Sequence, residues 1–274
     1  MIAMMGRLKA GAEGLSWGFM DLDKITVGLY PDDLVVIGAR PSVGKTHLML
    51  QVGLNIAKSG KTVLFASVEM QVMKLLERII GMETSISIEN LRRRRLGDDD
   101  WGDVANVAAR LADLPFYLLP GNRPCSNLVM NVERMKDKVG LDILLVDYLQ
   151  LMSDCRNTKF GSTQSDRVGY VCKVLKNIAS ELQIPVVVAS QLNRNLEYRD
   201  DKRPRLADLR ESGDIEQDAD VILFMHREEL YDDDPDNKGI LEIKQSKNRQ
   251  LGEAPPVKLV WLQDQYKYAD YTSR

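Results

Sequence analysis

Histidine is nearly absent from the 274 residues: only His47 and His226 occur. Cysteine is scarce as well, at positions 125, 155 and 172, and no two of these stand at metal-ligand spacing. A zinc centre is therefore not what organises the chain. Three thiols cannot all pair, which fits a reduced, intracellular compartment. No uninterrupted apolar run is long enough to cross a bilayer, so no membrane role is expected. The opening, Met1 to Arg7, is too short in its apolar part for a signal peptide. An excess of positive charge is missing too: 37 Lys and Arg face 40 Asp and Glu, for a net charge of −3. The surface as a whole does not attract nucleic acid, so any such contact must come from particular loops. What is present, 44% hydrophobic and 28% charged residues, is the composition of a water-soluble globular chain.

One stretch dominates that chain: Gly38-Ala39-Arg40-Pro41-Ser42-Val43-Gly44-Lys45-Thr46. It follows an apolar run, Leu34 to Ile37, that reads as a buried strand. It opens a segment, His47 to Lys58, with apolar residues at helical spacing. Strand, glycine-bearing loop, Gly-Lys-Thr and helix form the context of a phosphate-binding P-loop. Backbone N–H groups turn inward there, and the helix adds the positive end of its dipole. Lys45 then faces the β- and γ-phosphates, and the Thr46 hydroxyl can join Mg²⁺. Ala39, Arg40, Pro41, Ser42, Val43, Gly44, Lys45, Thr46 and His47 are the candidate nucleotide-binding residues. The usual first glycine is Ala39, with Gly38 one position early.

Further buried strands are expected at Val63 to Ala66, Asp142 to Asp147, Pro185 to Ser190 and Asp220 to Met225, with a short one at Phe116 to Leu119. Helices are expected over Gln71 to Ile80, Trp101 to Ala112, Ser126 to Lys138 and Val168 to Leu182. Ile240 to Ser246 and Val257 to Trp261 read as two more strands. Residues 1–14 read as a linker remnant or disordered leader, and 15–274 as one domain. Leu15 to Gly28 is expected to pack beside the P-loop strand. Met152 to Asp166, Asn193 to Leu209 and the acidic Tyr231 to Lys238 are expected as loops. The fold class is α/β: a doubly wound, mostly parallel sheet with antiparallel C-terminal strands.

Several side chains sit at strand tips, where ligands bind in such sheets. Glu69 follows the second strand. It could deprotonate a water aimed at the γ-phosphate, or simply be an acid favoured at a helix N-terminus; position alone leaves both open. Asp147 ends an apolar strand in the Walker B manner and would hold the metal opposite Thr46. Gln191 could hydrogen-bond the γ-phosphate or face solvent. The run Arg92 to Arg95, followed by Asp98 to Asp100, reads as a solvated face whose aspartates cap the next helix.

Five phrases together resemble one family: Ala39 to Thr46, Ser67-Val68-Glu69-Met70, Asp147-Tyr148-Leu149-Gln150-Leu151-Met152, Ser190-Gln191-Leu192-Asn193-Arg194, and Asp208 to Asp220 with its Arg-Glu-Ser-Gly. The chain looks like the C-terminal ATPase domain of DnaB-type replicative DNA helicases, a RecA-like P-loop NTPase fold, from about Gly14 to the end. The resemblance implies an ATP- and Mg²⁺-dependent motor that forms a homo-oligomeric, hexameric ring. It would move 5′ to 3′ on single-stranded DNA in the cytoplasm of a bacterial or phage-infected cell, with a helicase loader and primase as further partners. Glu69 would be the catalytic base, Lys45 and Thr46 would hold phosphate and Mg²⁺, Asp147 would position the metal and Gln191 would sense the γ-phosphate. Lys247 and Arg249 match a Lys-x-Arg piston that reaches the neighbouring subunit's nucleotide. Arg210, Glu211 and Gly213 match the loop that touches the DNA backbone. Two positions depart from the family: Gln250-Leu251 follows the piston in place of Asn-Gly, and Pro31-Asp32-Asp33 replaces Pro-Gly-Asp. A recombination-mediator ATPase on the same fold, and a nucleotide-switched binding module without turnover, remain the alternatives.

Overall fold

The computed structural model describes residues 14–84, 86–121, 125–151, 164–232 and 234–272. Residues 1–13 of the expected leader (1–14), residues 152–163 of the loop expected over 152–166, and with them Cys155, lie outside them. The apolar runs become strands because they can be buried on both faces. β1 (Leu34–Ala39), β2 (Val63–Ser67), β4 (Ile143–Asp147) and β6 (Val221–His226) are buried throughout, and β5 (Val186–Gln191) is buried up to its last residue. β3 (Phe116–Pro120), β7 (Ile240–Asn248), β8 (Val257–Leu262) and β9 (Lys267–Asp270) complete one nine-stranded sheet. Its order is β3-β2-β4-β5-β1-β6-β7-β8-β9. Pairing is parallel from β3 to β6 and antiparallel from β6 to β9, as the sequence led us to expect.

Alternate residues of each central strand feed two cores, because side chains point to opposite faces with period two. Val35 and Ile37, with Val63 and Phe65, pack under α1 (Met20–Thr26), α2 (Lys45–Lys58) and α3 (Val72–Glu83). Leu34 and Val36, with Leu64 and Ala66, pack under α6 (Cys125–Val139) and α7 (Gln164–Leu182). The doubly wound expectation is met. Between them in sequence lie α4 (Ile88–Arg93) and α5 (Asp98–Asp113).

The local differences have simple causes. The helix expected from Trp101 starts at Asp98, and Asp100 caps it by accepting from Gly97 N–H at 2.9 Å. Arg92 and Arg93 are on α4 and pair with Glu77 and Glu89 at the surface, so the arginine run is a solvated face there. The Leu15–Gly28 segment carries α1, and Trp17, Phe19 and Leu22 are buried in the same core as β1. The acidic Tyr231 to Lys238 stretch is built partly on a 3-10 helix, Pro235–Asn237. Asp32 has φ 76°, so it occupies the left-handed conformation that glycine favours. Its carboxylate accepts from Ser180 Oγ and lies 3.6 Å from Lys176 Nζ, and these contacts hold the turn in shape without the glycine.

Candidate active site

Register places the chemistry. Ala39 is paired with Gln191, Val146 with Val188, and Ser67 with Asp147. The C-terminal tips of β2, β4, β5 and β1 therefore lie side by side, and the loop after β1 closes over them. The early glycine has a packing reason: a Cβ on Gly38 would come within 2.8 Å of the Phe224 ring and 3.0 Å of Leu192. Ala39 needs no such freedom, because it is still part of β1. At the other end of the loop Gly44 is the N-cap of α2 with φ 111° and ψ 21°, a backbone that side-chain-bearing residues rarely adopt.

A cavity of about 350 Å³ opens there. It is lined by Pro41, Ser42, Gly44, Lys45, Thr46 and His47 from the loop and α2, Glu69 and Met70 after β2, Arg78 on α3, Asp147 and Tyr148 after β4, and Gln191. Thr46 Oγ1 donates to Asp147 Oδ2 at 2.8 Å. Lys45 Nζ donates to the carbonyls of Ala39 at 2.8 Å and Arg40 at 3.2 Å. Burial lowers its pKa to about 8, against the pull of Asp147 and Glu69. Burial pushes the Asp147 carboxyl up, and the Thr46 hydrogen bond pulls it back. The Asp147–Tyr148 peptide is cis.

His47 lines the cavity and packs its ring edge-on to Trp261 at 5.3 Å and stacked on Tyr266 at 6.3 Å. Burial, then Arg78 and Arg227, lowers its pKa to about 3, so the imidazole is neutral at physiological pH. Lys45, Thr46, His47, Glu69, Asp147 and Gln191 are thus brought together, with Pro41, Ser42 and Gly44. Val43 is buried beneath the loop, and its carbonyl accepts from Tyr268 Oη at 3.2 Å.

Lys247 and Arg249 are elsewhere. Lys247 pairs with Ile222 and Asn248 with Val221, at the N-terminal end of β6. That is the edge of the sheet opposite the cavity. Lys247 Nζ donates to the carbonyls of Glu216 and Ala219. Arg249 Nη1 meets Asp220 Oδ1 at 3.0 Å, and Nη2 donates to the Gln217 carbonyl. Arg210 and Glu211 fall on the 3-10 helix Leu206–Ser212, and Gly213 begins α8 (Gly213–Asp218); the side chains at 210 and 211 lie outside the described residues.

Two contributors were not singled out from sequence. Gln150 clamps the tip of β5: Nε2 donates to Ser190 Oγ and the Gln191 carbonyl, both at 3.0 Å, and Oε1 accepts from Gln191 N–H at 3.1 Å. It belongs to a quoted motif, but nothing in that motif indicates a fold-back onto another strand. Arg78 is flanked on α3 by the buried Leu75, Ile79 and Met82. A cation inside an apolar helical stripe was the available signal. Burial lowers its pKa, against the pull of Asp147 and Glu69.

A family model described as the DnaB-like helicase C-terminal domain matches residues 14–270. The chain is 37% identical over its whole length to the replicative DNA helicase DnaC of Bacillus subtilis, covering 60% of that protein. It is 36% identical to the replicative DNA helicase DnaB of Geobacillus stearothermophilus, again covering 60%. The chain thus spans about three fifths of these relatives. Among solved structures, a chain described as an ATPase domain superposes with a TM-score of 0.91 at 28% identity, over 99% of this chain and 97% of that one. A DnaB-like replicative helicase, described in a study of its interactions with primase, gives 0.90 at 29% identity over 99% of this chain and 66% of that one.

Proposed function

Because the chain belongs to the DnaB-like helicase C-terminal domain family, we propose that it is the ATP-hydrolysing motor of a replicative DNA helicase. It assembles as a hexameric ring on single-stranded DNA in the cytoplasm, moves 5′ to 3′, and works with a loader and primase. The observation that carries this reading is the separation within one chain. Lys45, Thr46, Glu69, Asp147 and Gln191 gather at one edge of the sheet, while Lys247 and Arg249 stand at the other. Those two cations cannot serve their own cavity, so the reading assigns them to the cavity of the next copy. A head-to-tail contact of that kind closes into a ring when its rotation permits.

The motor reading gives each of these residues a role. Backbone N–H groups at the start of α2 and the Lys45 amine bind phosphate. Glu69 takes a proton from the attacking water. Gln191, fixed by Gln150, bonds the γ-phosphate and loses that partner after hydrolysis. Arg249 of a neighbour stabilises transition-state charge, an effect of about 10³–10⁵ in rate for such fingers. Thr46 and Asp147 offer two hard oxygens 2.8 Å apart, a donor pair that fits Mg²⁺, which commonly takes one or two protein oxygens and substrate phosphates. Bound there, Mg²⁺ neutralises charge on the phosphates. Arg210, Glu211 and Gly213 carry the DNA contact, through the backbone, so affinity is salt-dependent and nearly blind to sequence.

The test is ATP turnover with and without a single-stranded oligonucleotide. Stimulation by DNA, abolished in Lys45→Ala, is expected. Turnover that is absent under both conditions would support a nucleotide-switched module instead, and turnover retained in Lys45→Ala would refute the phosphate site.

A further inference from the structure

One side chain ties the phosphate-binding loop to the segment after β5. Arg40 donates from Nη1 to the Leu192 carbonyl and from Nε to Glu197 Oε1, both at 2.8 Å. Leu192 directly follows Gln191. Arg40's own carbonyl accepts from Lys45 Nζ at 3.2 Å. On the far side, Glu197 lies in the 3-10 helix Arg194–Tyr198, which is pinned by the buried Leu196. Two residues on, Arg199 Nη2 donates to Asp208 Oδ2 at 2.8 Å, and that oxygen also accepts from Arg205 N–H at 2.8 Å. The Asp208 carbonyl accepts from Asn193 N–H at 3.2 Å. Asp208 is buried and stands two residues before Arg210. Bonded groups therefore run from the loop amine to the start of the stretch assigned to DNA.

We propose that the Arg40–Glu197 ion pair couples nucleotide binding to DNA binding, with Glu197 a positioning residue that acts through Arg40. The proposal rests on the motor reading above. When the Lys45 amine turns to a phosphate, the Ala39 and Arg40 carbonyls lose a donor, and the Arg40 peptide is free to shift. The Arg40 guanidinium carries that shift to Leu192 and Glu197 together. A coupling between sites requires such a difference in contacts between two states. The alternative is an ion pair without consequence, the usual fate of exposed pairs. The Arg40 side chain is only 15% exposed, whereas that of Glu197 is 41% exposed, so replacing Glu197 does not threaten the fold.

The experiment compares ATP turnover with and without a single-stranded oligonucleotide in the whole chain, alongside oligonucleotide affinity. In Glu197→Gln the ratio of stimulated to unstimulated turnover is expected to fall about fivefold, the low end for coupled sites, with unstimulated turnover and the DNA affinity measured without nucleotide unchanged. In an Arg40→Gln background, adding Glu197→Gln should change the ratio no further, which a separate structural role for Glu197 would not reproduce. An unchanged ratio in Glu197→Gln, or two effects that add, overturns the proposal. A wild-type chain that DNA does not stimulate refutes the motor reading itself, and this inference with it.

Discussion

Replacing Gly44 with alanine probes how the phosphate loop is framed. Gly44 has φ 111°, and holding alanine in left-handed backbone costs about 1–2 kcal/mol. The added Cβ would also lie 2.1 Å from Tyr268 Oη and 3.3 Å from its Cζ. Tyr268 has little room to retreat: it is 2% exposed, bonded to the Val43 carbonyl, and packed on the Trp261 ring at 4.8 Å. Overpacking of that kind costs about 1–3 kcal/mol. Gly44→Ala should therefore destabilise the chain by about 2–5 kcal/mol. Tyr268→Phe alone should cost about 1 kcal/mol, as the Val43 carbonyl loses its donor. It removes the 2.1 Å contact and leaves the 3.3 Å one. In the double variant the clash is relieved but the backbone strain is not. Urea unfolding of the four proteins should show the double variant more stable than the sum by about 1–2 kcal/mol. Additivity within about 0.5 kcal/mol would refute the framing role of Tyr268.

Two further outcomes are expected. Burial first, then the neighbouring Asp220, raises the pKa of Asp33 to about 6. Between about pH 4 and 6 the folded chain keeps a proton that the unfolded chain has lost, so stability falls as pH rises through that window and the cost is complete above it. Asp33→Asn should stabilise the protein by about 1–2 kcal/mol at pH 8, after discounting for solvent screening. The gain should vanish near pH 4, and an equal gain at both pH values in urea titrations would contradict the assignment. Gln150→Ala releases three hydrogen bonds at the tip of β5. It should lower kcat about tenfold with KM unchanged, as expected when positioning for the transition state is lost; a raised KM with kcat intact would mean that Gln150 only assists binding.

The sheet was legible because its central strands are buried on both faces and therefore appear as unbroken apolar runs, such as Leu34 to Ile37 and Val186 to Ala189. The loop and its Gly-Lys-Thr were legible because phosphate binding demands a short contiguous stretch. β9 was missed because Lys-Tyr-Ala-Asp has neither the length nor the apolar content to announce a strand; its place is set by pairing with β8. α1 was missed for a similar reason, being 7 residues whose first turn holds two aspartates. Gln150 and Tyr268 could not be read out locally, since each acts on residues distant in the chain, and Arg78 left only the signal of a cation within an apolar helical stripe. The placement of Lys247 and Arg249 away from the cavity needed the register of β6 with β7, which sequence does not supply.

The central claim, that each nucleotide is gripped by one copy and completed by the next, is tested most directly by mixing two inactive variants. Glu69→Ala keeps Arg249, and Arg249→Ala keeps Glu69. A one-to-one mixture should recover up to about a quarter of wild-type ATP turnover, the share of head-to-tail interfaces that unite two intact halves. A mixture as inactive as its separate components would contradict the account.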